Sequence, residues 1–300
     1  MPPGKMHADE PDIDAPLVQR LIAAQFPHWA GLSVKPVDSV GTSNAMYRLG
    51  EDMAVRLPRV AGAVEDIETE HTWLPRLAPS LPVAVPEPLG KGAPGEDYPW
   101  RWSVFRWLDG ENPVSGRIAE PVRLAQELGA FVTALHRIDP TGGPASFRSE
   151  SLAERDGWTR RAMAALRGSV DSGAVTAAWD ADRQAPAWAG PAVWIHADLQ
   201  PGNLLVAGGG LSAVIDFGCM GLGDPAVDLI PAWYVLPREA RDVFRAAARA
   251  DEAAWARGRG WALSVALMEA DYYRDTNPAM AATARYVIGE VLADHAARTA

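Results

Sequence analysis

The sequence is short of the features that mark secreted and membrane-spanning proteins. Cys219 is the single cysteine in 300 residues, so an internal disulfide is impossible, and this suits a reducing compartment. There is no uncharged apolar run of about 18 residues, the length that predicts a membrane span. The first 14 residues also lack the basic and apolar regions of a signal peptide. These absences predict a soluble, cytoplasmic protein.

An excess of positive charge is missing as well. The formal net charge of −10 argues against nucleic acid or an anionic membrane as the main partner. Apolar residues make up 48% of the chain and charged residues 22%, which is an ordinary globular composition with enough material for a packed core. A chain of this length forms one large domain or two lobes.

The pattern of apolar residues changes near residue 109. Before that point an amphipathic helix and a second helix accompany short apolar runs separated by turn residues, which predicts an antiparallel meander. The expected helices are 15–26 and 63–77, and the expected strands are 34–40, 45–49, 53–57 and 100–108. Residues 82–88 are expected to be extended, because their prolines oppose a helix.

After the break at Asp109–Pro113 helices dominate. The expected helices are 120–136, 154–167, 172–182 and the whole segment from 224 to about 294. Short strands at 192–195, 203–206 and 213–215 surround two polar loops. This order predicts an α+β, two-lobed fold, with a small sheet lobe at 1–109 and a larger helical lobe at 110–300. Four tryptophans of the helical part are expected in its core: Trp158, Trp233, Trp255 and Trp261.

The strongest chemical signal is the segment 196–203, HADLQPGN, followed by 214–218, VIDFG. Asp198 precedes Asn203 by five residues, and Asp216 follows Asp198 by 18. Phosphoryl transfer needs a carboxylate near the attacking hydroxyl and oxygen ligands that hold Mg²⁺ on the phosphates. The joint spacing in two loops between strands provides both groups.

These two segments resemble those of the aminoglycoside phosphotransferase family of protein-kinase-like small-molecule kinases, and the resemblance extends from about residue 37 to 294. It implies a protein-kinase-like fold, Asp198 as catalytic base, and Asn203 and Asp216 as Mg²⁺ ligands. It also implies that His196 braces the loop and that Asp228 accepts bonds from the loop backbone. Gly at position 197 and His at position 200 are frequent in the family, and we expect their replacement by Ala and Gln to have little consequence.

The resemblance also indicates a nucleotide site in the first lobe. The turn at 39–44, including Ser43, could fold over phosphates through its N–H groups. Arg56 stands where kinase-like folds keep a phosphate-binding Lys. Glu70 matches the acidic partner expected for this cation better than Glu68 does. The alternative is that both glutamates belong to a solvated helix face.

The segment 103–110 matches the strand and hinge that link the lobes in this family. The backbone of Arg106 and Leu108 is expected to bond the purine edge, with the hinge at 106–109. Phe105 falls at the back of the purine pocket, where a bulky aromatic residue accompanies use of GTP as well as or instead of ATP. Phe105 is equally compatible with a plain core position.

Acceptor recognition is predicted from the late helix. Glu269, Asp271, Tyr272 and Asp275 lie in one stretch, with the two aspartates placed one helical turn apart. Carboxylates beside aromatic rings suit an amine-bearing substrate, although such a charged run is usually a solvated face.

The predicted function is Mg²⁺-dependent transfer of a phosphate from ATP or GTP to a hydroxyl of a small, cationic acceptor such as an aminoglycoside or macrolide antibiotic. A metabolic kinase for choline, an amino acid or a sugar shares every motif. A nucleotide-binding pseudokinase is the second alternative, although Asp198, Asn203 and Asp216 are all present. The oligomeric state is not indicated.

Overall fold

The computed structural model describes residues 10–37, 43–114 and 116–299. The chain divides into two compact units, Met1–Glu111 with Ser212–Gly218, and Asn112–Leu211 with Cys219–Ala300. Within the described residues, none of the helices combines the length and the hydrophobicity that crossing a membrane requires.

Helices and short strands make up most of the described chain. The helices are α1 Ala15–Gln25, α2 Val64–Leu77, α3 Pro121–Leu135, α4 Leu152–Ala165, α5 Ser172–Arg183, α6 Pro231–Tyr234, α7 Arg241–Ala247, α8 Glu252–Tyr272 and α9 Pro278–Thr299. The strands are β1 Val34–Pro36, β2 Asn44–Leu49, β3 Met53–Pro58, β4 Pro88–Gly92, β5 Trp102–Arg106, β6 Val193–Ile195, β7 Leu204–Ala207, β8 Gly210–Val214 and β9 Gly221–Gly223.

The first unit is built on a five-stranded antiparallel sheet in the order β1-β2-β3-β5-β4. Helix α1 contributes Val18, Leu21 and Ile22 to the core of this unit, and all three are fully buried. Asp14 caps the helix by accepting the N–H of Leu17 at 2.8 Å, which satisfies one of the free donors of its first turn. The predicted sheet is therefore present, with one strand more than expected.

Strand β4 is the addition, and the expectation of a merely extended segment at 82–88 missed it. Its Pro88, Gly90 and Gly92 are weak strand formers. Gly92 is required by packing, because a Cβ there would lie 2.0 Å from the Trp102 ring. Pairing with β5 therefore outweighs local propensity in this strand.

The second unit is organised around α8, which packs against α4, α5, α9 and the 3₁₀ turn Pro225–Leu229. Trp233, Trp255 and Trp261 are buried, as expected. Trp158 is not: it lies 61% exposed on α4, so its assignment to the core was wrong. The small ladder of β6 and β9 leads directly into the loop at 196–203.

Two boundaries in the second unit differ from the expectation. Helix was expected throughout the segment from 224, but that segment contains several short 3₁₀ and α turns before α8, and its last helix runs past 294 to Thr299. Helix α8 ends at Tyr272, and Tyr273 is its C-cap. Asp275 therefore lies beyond the helix, in a turn, and does not share a helical face with Asp271.

Gly258 allows α8 to approach the turn that carries Asp228. A Cβ at Gly258 would lie 2.7 Å from the Cβ of Leu229 and 3.0 Å from the carbonyl oxygen of Ala226. Gly258→Ala should therefore destabilise the protein by about 1–3 kcal/mol through overpacking. Gly289→Ala on α9 is the matched control, because a Cβ there meets nothing within 4 Å. It should raise stability by up to about 1 kcal/mol. Urea unfolding measures both, and equal stability of the two variants would contradict the close approach.

Candidate functional site

The loop at 196–203 is held by a buried carboxylate. Asp228 is fully buried and accepts the backbone N–H of His196 at 3.1 Å and of Ala197 at 2.8 Å. The Nε2 atom of His136 lies 3.0 Å from the same carboxylate. The contact between Asp228 and the loop backbone, which the family resemblance implied, is thus present.

The backbone turns sharply at Ala197, whose φ is +68°. This left-handed conformation disfavours a side chain by roughly 1–2 kcal/mol, which gives a physical reason for glycine at this position in related sequences. His196 is buried, and its Nδ1 accepts the N–H of Asp198 at 3.2 Å. These contacts agree with the bracing expected of His196.

Asp198 lies at the centre of a set of side chains that donate hydrogen bonds. Its Oδ1 accepts from Nη1 of Arg148 at 2.7 Å and from Nε2 of Gln200 at 3.1 Å, and its Oδ2 accepts from Nδ2 of Asn203 at 2.9 Å. Burial acts to raise the pKa of Asp198, but the Arg148 guanidinium, His196 and Gln200 together outweigh it. The pKa is therefore held below its ordinary value.

Asn203 has its amide nitrogen fully engaged. Nδ2 donates to the carbonyl of Asp198 at 2.8 Å as well as to Oδ2 of the same residue. The amide oxygen is consequently the group that Asn203 can offer to a cation. Asn112 supports the same turn, because its Nδ2 donates to the carbonyls of Gly202 at 3.0 Å and Leu204 at 2.9 Å. In the sequence, Asn112 stands out only as part of a chain break.

Gln200 connects Asp198 to Glu269. Its Nε2 donates to Oε1 of Glu269 at 2.6 Å, and the Tyr234 hydroxyl donates to Oε2 at 2.9 Å. Burial raises the pKa of Glu269 to about 7, Asp198 adds to the rise, and the donors oppose it. The alternative of a solvated face does not hold for Glu269, and Gln200 contacts both carboxylates.

The other residues expected to bind the acceptor are not gathered around Glu269. Asp271 pairs with Arg274 at 2.5 Å, with both side chains partly exposed, and Tyr272 is 61% exposed. Asp275 is exposed in the turn after α8. Of the predicted group, whose four members all lie in the described part of the chain, Glu269 alone is linked to Asp198 through a side-chain contact.

In the first unit the predicted ion pair between Arg56 and Glu70 is present. Arg56 on β3 donates through both terminal nitrogens to the two carboxylate oxygens of Glu70 on α2. Both side chains are buried. Oε1 of Glu70 also accepts the N–H of Phe217 at 3.1 Å, so this pair fixes the segment that carries Asp216. We call Arg56, Asp66, Glu70 and Asp216 the Arg56 cluster.

Asp66 is a member of this cluster that the sequence reasoning missed. It lies one helical turn before Glu70, and that spacing was the available signal. Burial raises the pKa of Asp66 to about 6 and that of Glu70 to about 7, while Arg56 opposes both rises. Gly218 is required beside it, because a Cβ there would lie 2.9 Å from Oδ2 of Asp66.

Asp216 presents a largely free carboxylate. Its side chain is 46% exposed, and Oδ1 lies 3.5 Å from Nη1 of Arg56. Its φ of +59° places it in the left-handed region, a strained conformation for a residue with a side chain. Such strain is found most often where a side chain must point in one direction for function.

Phe105 and Arg106 end strand β5 beside this cluster. Phe105 is buried, with the guanidinium carbon of Arg56 5.1 Å from its ring centroid and the His71 ring 5.8 Å away. The N–H of Arg106 is taken by the carbonyl of Glu87 at 2.9 Å, so this N–H is not available to a purine. Leu108 follows in the predicted hinge segment.

The phosphate-binding turn predicted at 39–44 lies mostly outside the described residues. Ser43 is described and exposed, and its carbonyl accepts the N–H of Arg59 at 2.8 Å. Its predicted contact with a nucleotide stays a prediction.

The oxygen donors fit magnesium bound together with phosphates. In the part of the chain that the structure describes, no three His, Cys, Asp or Glu side chains form a metal-binding group. Mg²⁺ on a nucleotide, however, needs only one or two protein oxygens beside the phosphates. The free amide oxygen of Asn203 and the exposed carboxylate of Asp216 are donors of that kind.

The fold is protein-kinase-like, with a five-stranded antiparallel sheet in the first unit and a larger helical second unit. The chain belongs to the phosphotransferase enzyme family (APH), whose model matches residues 34–261. No curated protein matches the chain.

Solved structures share the fold at low sequence identity. A mutant of aminoglycoside 2′-phosphotransferase-IIIa bound to GDP has a TM-score of 0.77 at 17% identity, covering 96% of this chain and 100% of that one. The GDP and kanamycin complex of APH(2″)-IIIa has a TM-score of 0.73 at 17% identity, covering 92% and 98%. Macrolide 2′-phosphotransferase MphH from Brachybacterium faecium has a TM-score of 0.61 at 23% identity, covering 93% and 97%.

The raised pKa of Glu269 predicts a pH-dependent stability. The folded state holds this proton more tightly than the unfolded chain, whose ordinary value is 4.5. The resulting stabilisation is complete below the unfolded pKa and is lost as the pH rises through about 7. Between about pH 5 and about pH 8 the wild type should lose on the order of 1–3 kcal/mol more unfolding free energy than Glu269→Gln. Denaturant unfolding at both pH values measures the difference, and equal losses would contradict the shift.

Proposed function

We propose that this protein transfers the γ-phosphoryl group of ATP or GTP, with Mg²⁺, to a hydroxyl of a small, cationic molecule. The observation that carries the proposal is the arrangement of Asp198 and Asn203. The Asp198 carboxylate is fixed by hydrogen bonds and its side chain is 24% exposed, and the neighbouring amide keeps its oxygen free. Phosphoryl transfer relies on positioning and charge stabilisation, and these two groups supply the required chemistry.

Each residue has one role in the proposed reaction. The acceptor hydroxyl oxygen bonds to the γ-phosphorus, the bond from that phosphorus to the β–γ bridging oxygen breaks, and Asp198 takes the hydroxyl proton. Asn203 and Asp216 are the proposed Mg²⁺ ligands, and the bound ion would neutralise phosphate charge. Arg56, kept in place by Glu70, would pair with phosphate oxygens, as guanidinium groups do well.

The nucleotide is proposed to lie against Phe105, with the Arg106 carbonyl and the Leu108 N–H facing the purine edge and Ser43 near the phosphates. Two solved relatives carry GDP and another carries ADP, which supports a purine nucleotide. Both ATP and GTP therefore belong in the assay.

An amine-bearing acceptor is supported by Glu269. This carboxylate is joined to Asp198 through Gln200 and lies on α8. An ammonium group on the acceptor would stabilise its ionised form. The names of the solved relatives point to aminoglycosides and macrolides, and we propose these two classes as the first acceptors to test.

Asp198→Asn should abolish most transfer while leaving nucleotide affinity within a few-fold. The amide keeps the shape but cannot take the proton, and loss of a general base lowers kcat by about 10²- to 10⁴-fold. Nucleotide consumption is measured with a panel of aminoglycosides, macrolides, choline, amino acids and sugars. Asp171→Asn is the control, because Asp171 caps α5 and Asn caps a helix equally well.

The panel has three informative results. Consumption stimulated by an antibiotic supports the proposed acceptor class, and stimulation by choline, an amino acid or a sugar points to a metabolic kinase. An absence of consumption with every acceptor overturns the enzymatic proposal. Full activity of Asp198→Asn would contradict the role of the base.

Asp216→Asn should raise the Mg²⁺ concentration needed for nucleotide binding, because it removes a carboxylate from the proposed metal site. Calorimetric titration of nucleotide at several Mg²⁺ concentrations measures the effect. Asp66→Asn is the matched control, since it removes a carboxylate from the same Arg56 cluster without removing a proposed ligand. Equal effects of the two variants would show that charge, and not ligation, is responsible.

A further inference from the structure

Arg148 is a charged residue in contact with Asp198 that the sequence motifs do not include. It lies in the connection between α3 and α4, 50 residues before Asp198 in the chain. Its Nη1 donates to Oδ1 of Asp198 at 2.7 Å and also to the carbonyl of Ala197. One guanidinium nitrogen therefore fixes both the carboxylate and the backbone turn that presents it.

The backbone around Arg148 is built into the ladder from which the loop emerges. Ser146 donates its N–H to Leu222 at 3.0 Å, and its hydroxyl donates to the carbonyl of Cys219 at 2.8 Å. The same hydroxyl accepts the N–H of Arg148 at 3.1 Å. Leu222 belongs to β9, which pairs with β6, so Arg148 follows a segment bonded to β9 and Asp198 follows β6.

The donors around Asp198 leave one lone-pair position of its carboxylate open. A carboxylate has about four lone-pair positions, two on each oxygen. Among the described residues, Arg148 and Gln200 occupy Oδ1, and Asn203 occupies one position of Oδ2. The remaining position is on Oδ2, and the Asp198 side chain is 24% exposed.

We infer that Arg148 is a positioning residue that holds Oδ1 of Asp198 and thereby directs Oδ2 toward the acceptor hydroxyl. The inference rests on the proposed function, because it assigns an orientation to the proposed base. The proton of the hydroxyl goes to Oδ2, while Oδ1 stays bonded to the guanidinium throughout. Arg148 acts on the position of Asp198 and of the turn that presents it, so its loss should affect kcat and leave the nucleotide KM unchanged.

A double-mutant cycle tests this inference. Arg148→Met keeps the length of the side chain and removes its donors, and it should lower kcat by about 10²-fold through misplacement of the base. Arg148→Lys, which keeps a charged donor, should recover to within about 10-fold of wild type. In the Asp198→Asn background, Arg148→Met should change the residual rate by less than about 3-fold, since residues acting as a unit are not additive.

The control is Arg241→Met, which breaks an ion pair with Glu290 elsewhere in the second unit. The two pairs have similar exposures, 3% and 28% for Arg241 and Glu290, against 12% and 24% for Arg148 and Asp198. Arg241→Met should lower the unfolding free energy without changing the kcat of the folded protein. The folded fraction of each preparation is measured by its nucleotide-binding stoichiometry.

Each outcome of the cycle has a defined meaning. If the wild type is active and Arg148→Met leaves kcat unchanged, the positioning role alone is overturned. The same conclusion follows if Arg148→Met lowers kcat by the same factor in the wild type and in the Asp198→Asn background. A raised nucleotide KM with unchanged kcat would place Arg148 on the nucleotide and likewise overturn it. A wild type that transfers no phosphate to any acceptor overturns the proposed function and this inference with it.

Discussion

The buried Asp228 carboxylate is the constraint on which the rest of the second unit's site depends. It accepts two consecutive N–H groups at the point where the chain leaves β6, and it holds Ala197 in a left-handed conformation that an alanine does not favour. An unpaired N–H group buried at this point would cost about 1–3 kcal/mol. The geometry of Asp198 follows, because Asp198 is the next residue along the chain.

Charged side chains are gathered in both units. Without partners of opposite charge, the carboxylates would repel one another and would lose solvation without compensation. The negative charge of Asp198 is offset by the guanidinium of Arg148. Glu269, in contrast, has no ion-pair partner among the described residues, and its pKa is raised. In the first unit, Arg56 faces Asp66, Glu70 and Asp216. Both sets are therefore richer in negative than in positive charge. A divalent cation in one and an ammonium group in the other would correct the imbalance.

From the sequence, candidate site residues could be predicted where they lie close together along the chain. The spacing of Asp198, Asn203 and Asp216 is visible in a single stretch of 19 residues. Arg56 and Glu70 were found only through the family resemblance, and the structure shows their contact. The antiparallel sheet followed from short apolar runs and turn residues, but β4 did not, because packing against Trp102 and not propensity makes it a strand.

The missed residues reach the site through contacts between distant parts of the chain. Arg148 lies 50 residues from Asp198, and Asn112 lies 90 residues from Gly202. The amide of Gln200 meets Glu269 across 69 residues. No local period or spacing announces such contacts. The end of α8 at Tyr272 was missed for another reason, since Asp275 continues a plausible helical pattern until the chain turns.

In the proposed reaction a hydroxyl of a small molecule receives the phosphoryl group. The most direct measurement is identification of the product by phosphorus NMR and mass spectrometry after incubation with Mg²⁺, nucleotide and the most stimulating acceptor. The account predicts a phosphate monoester on the acceptor, formed in equal amount to the nucleoside diphosphate. Release of inorganic phosphate with an unmodified acceptor would contradict it.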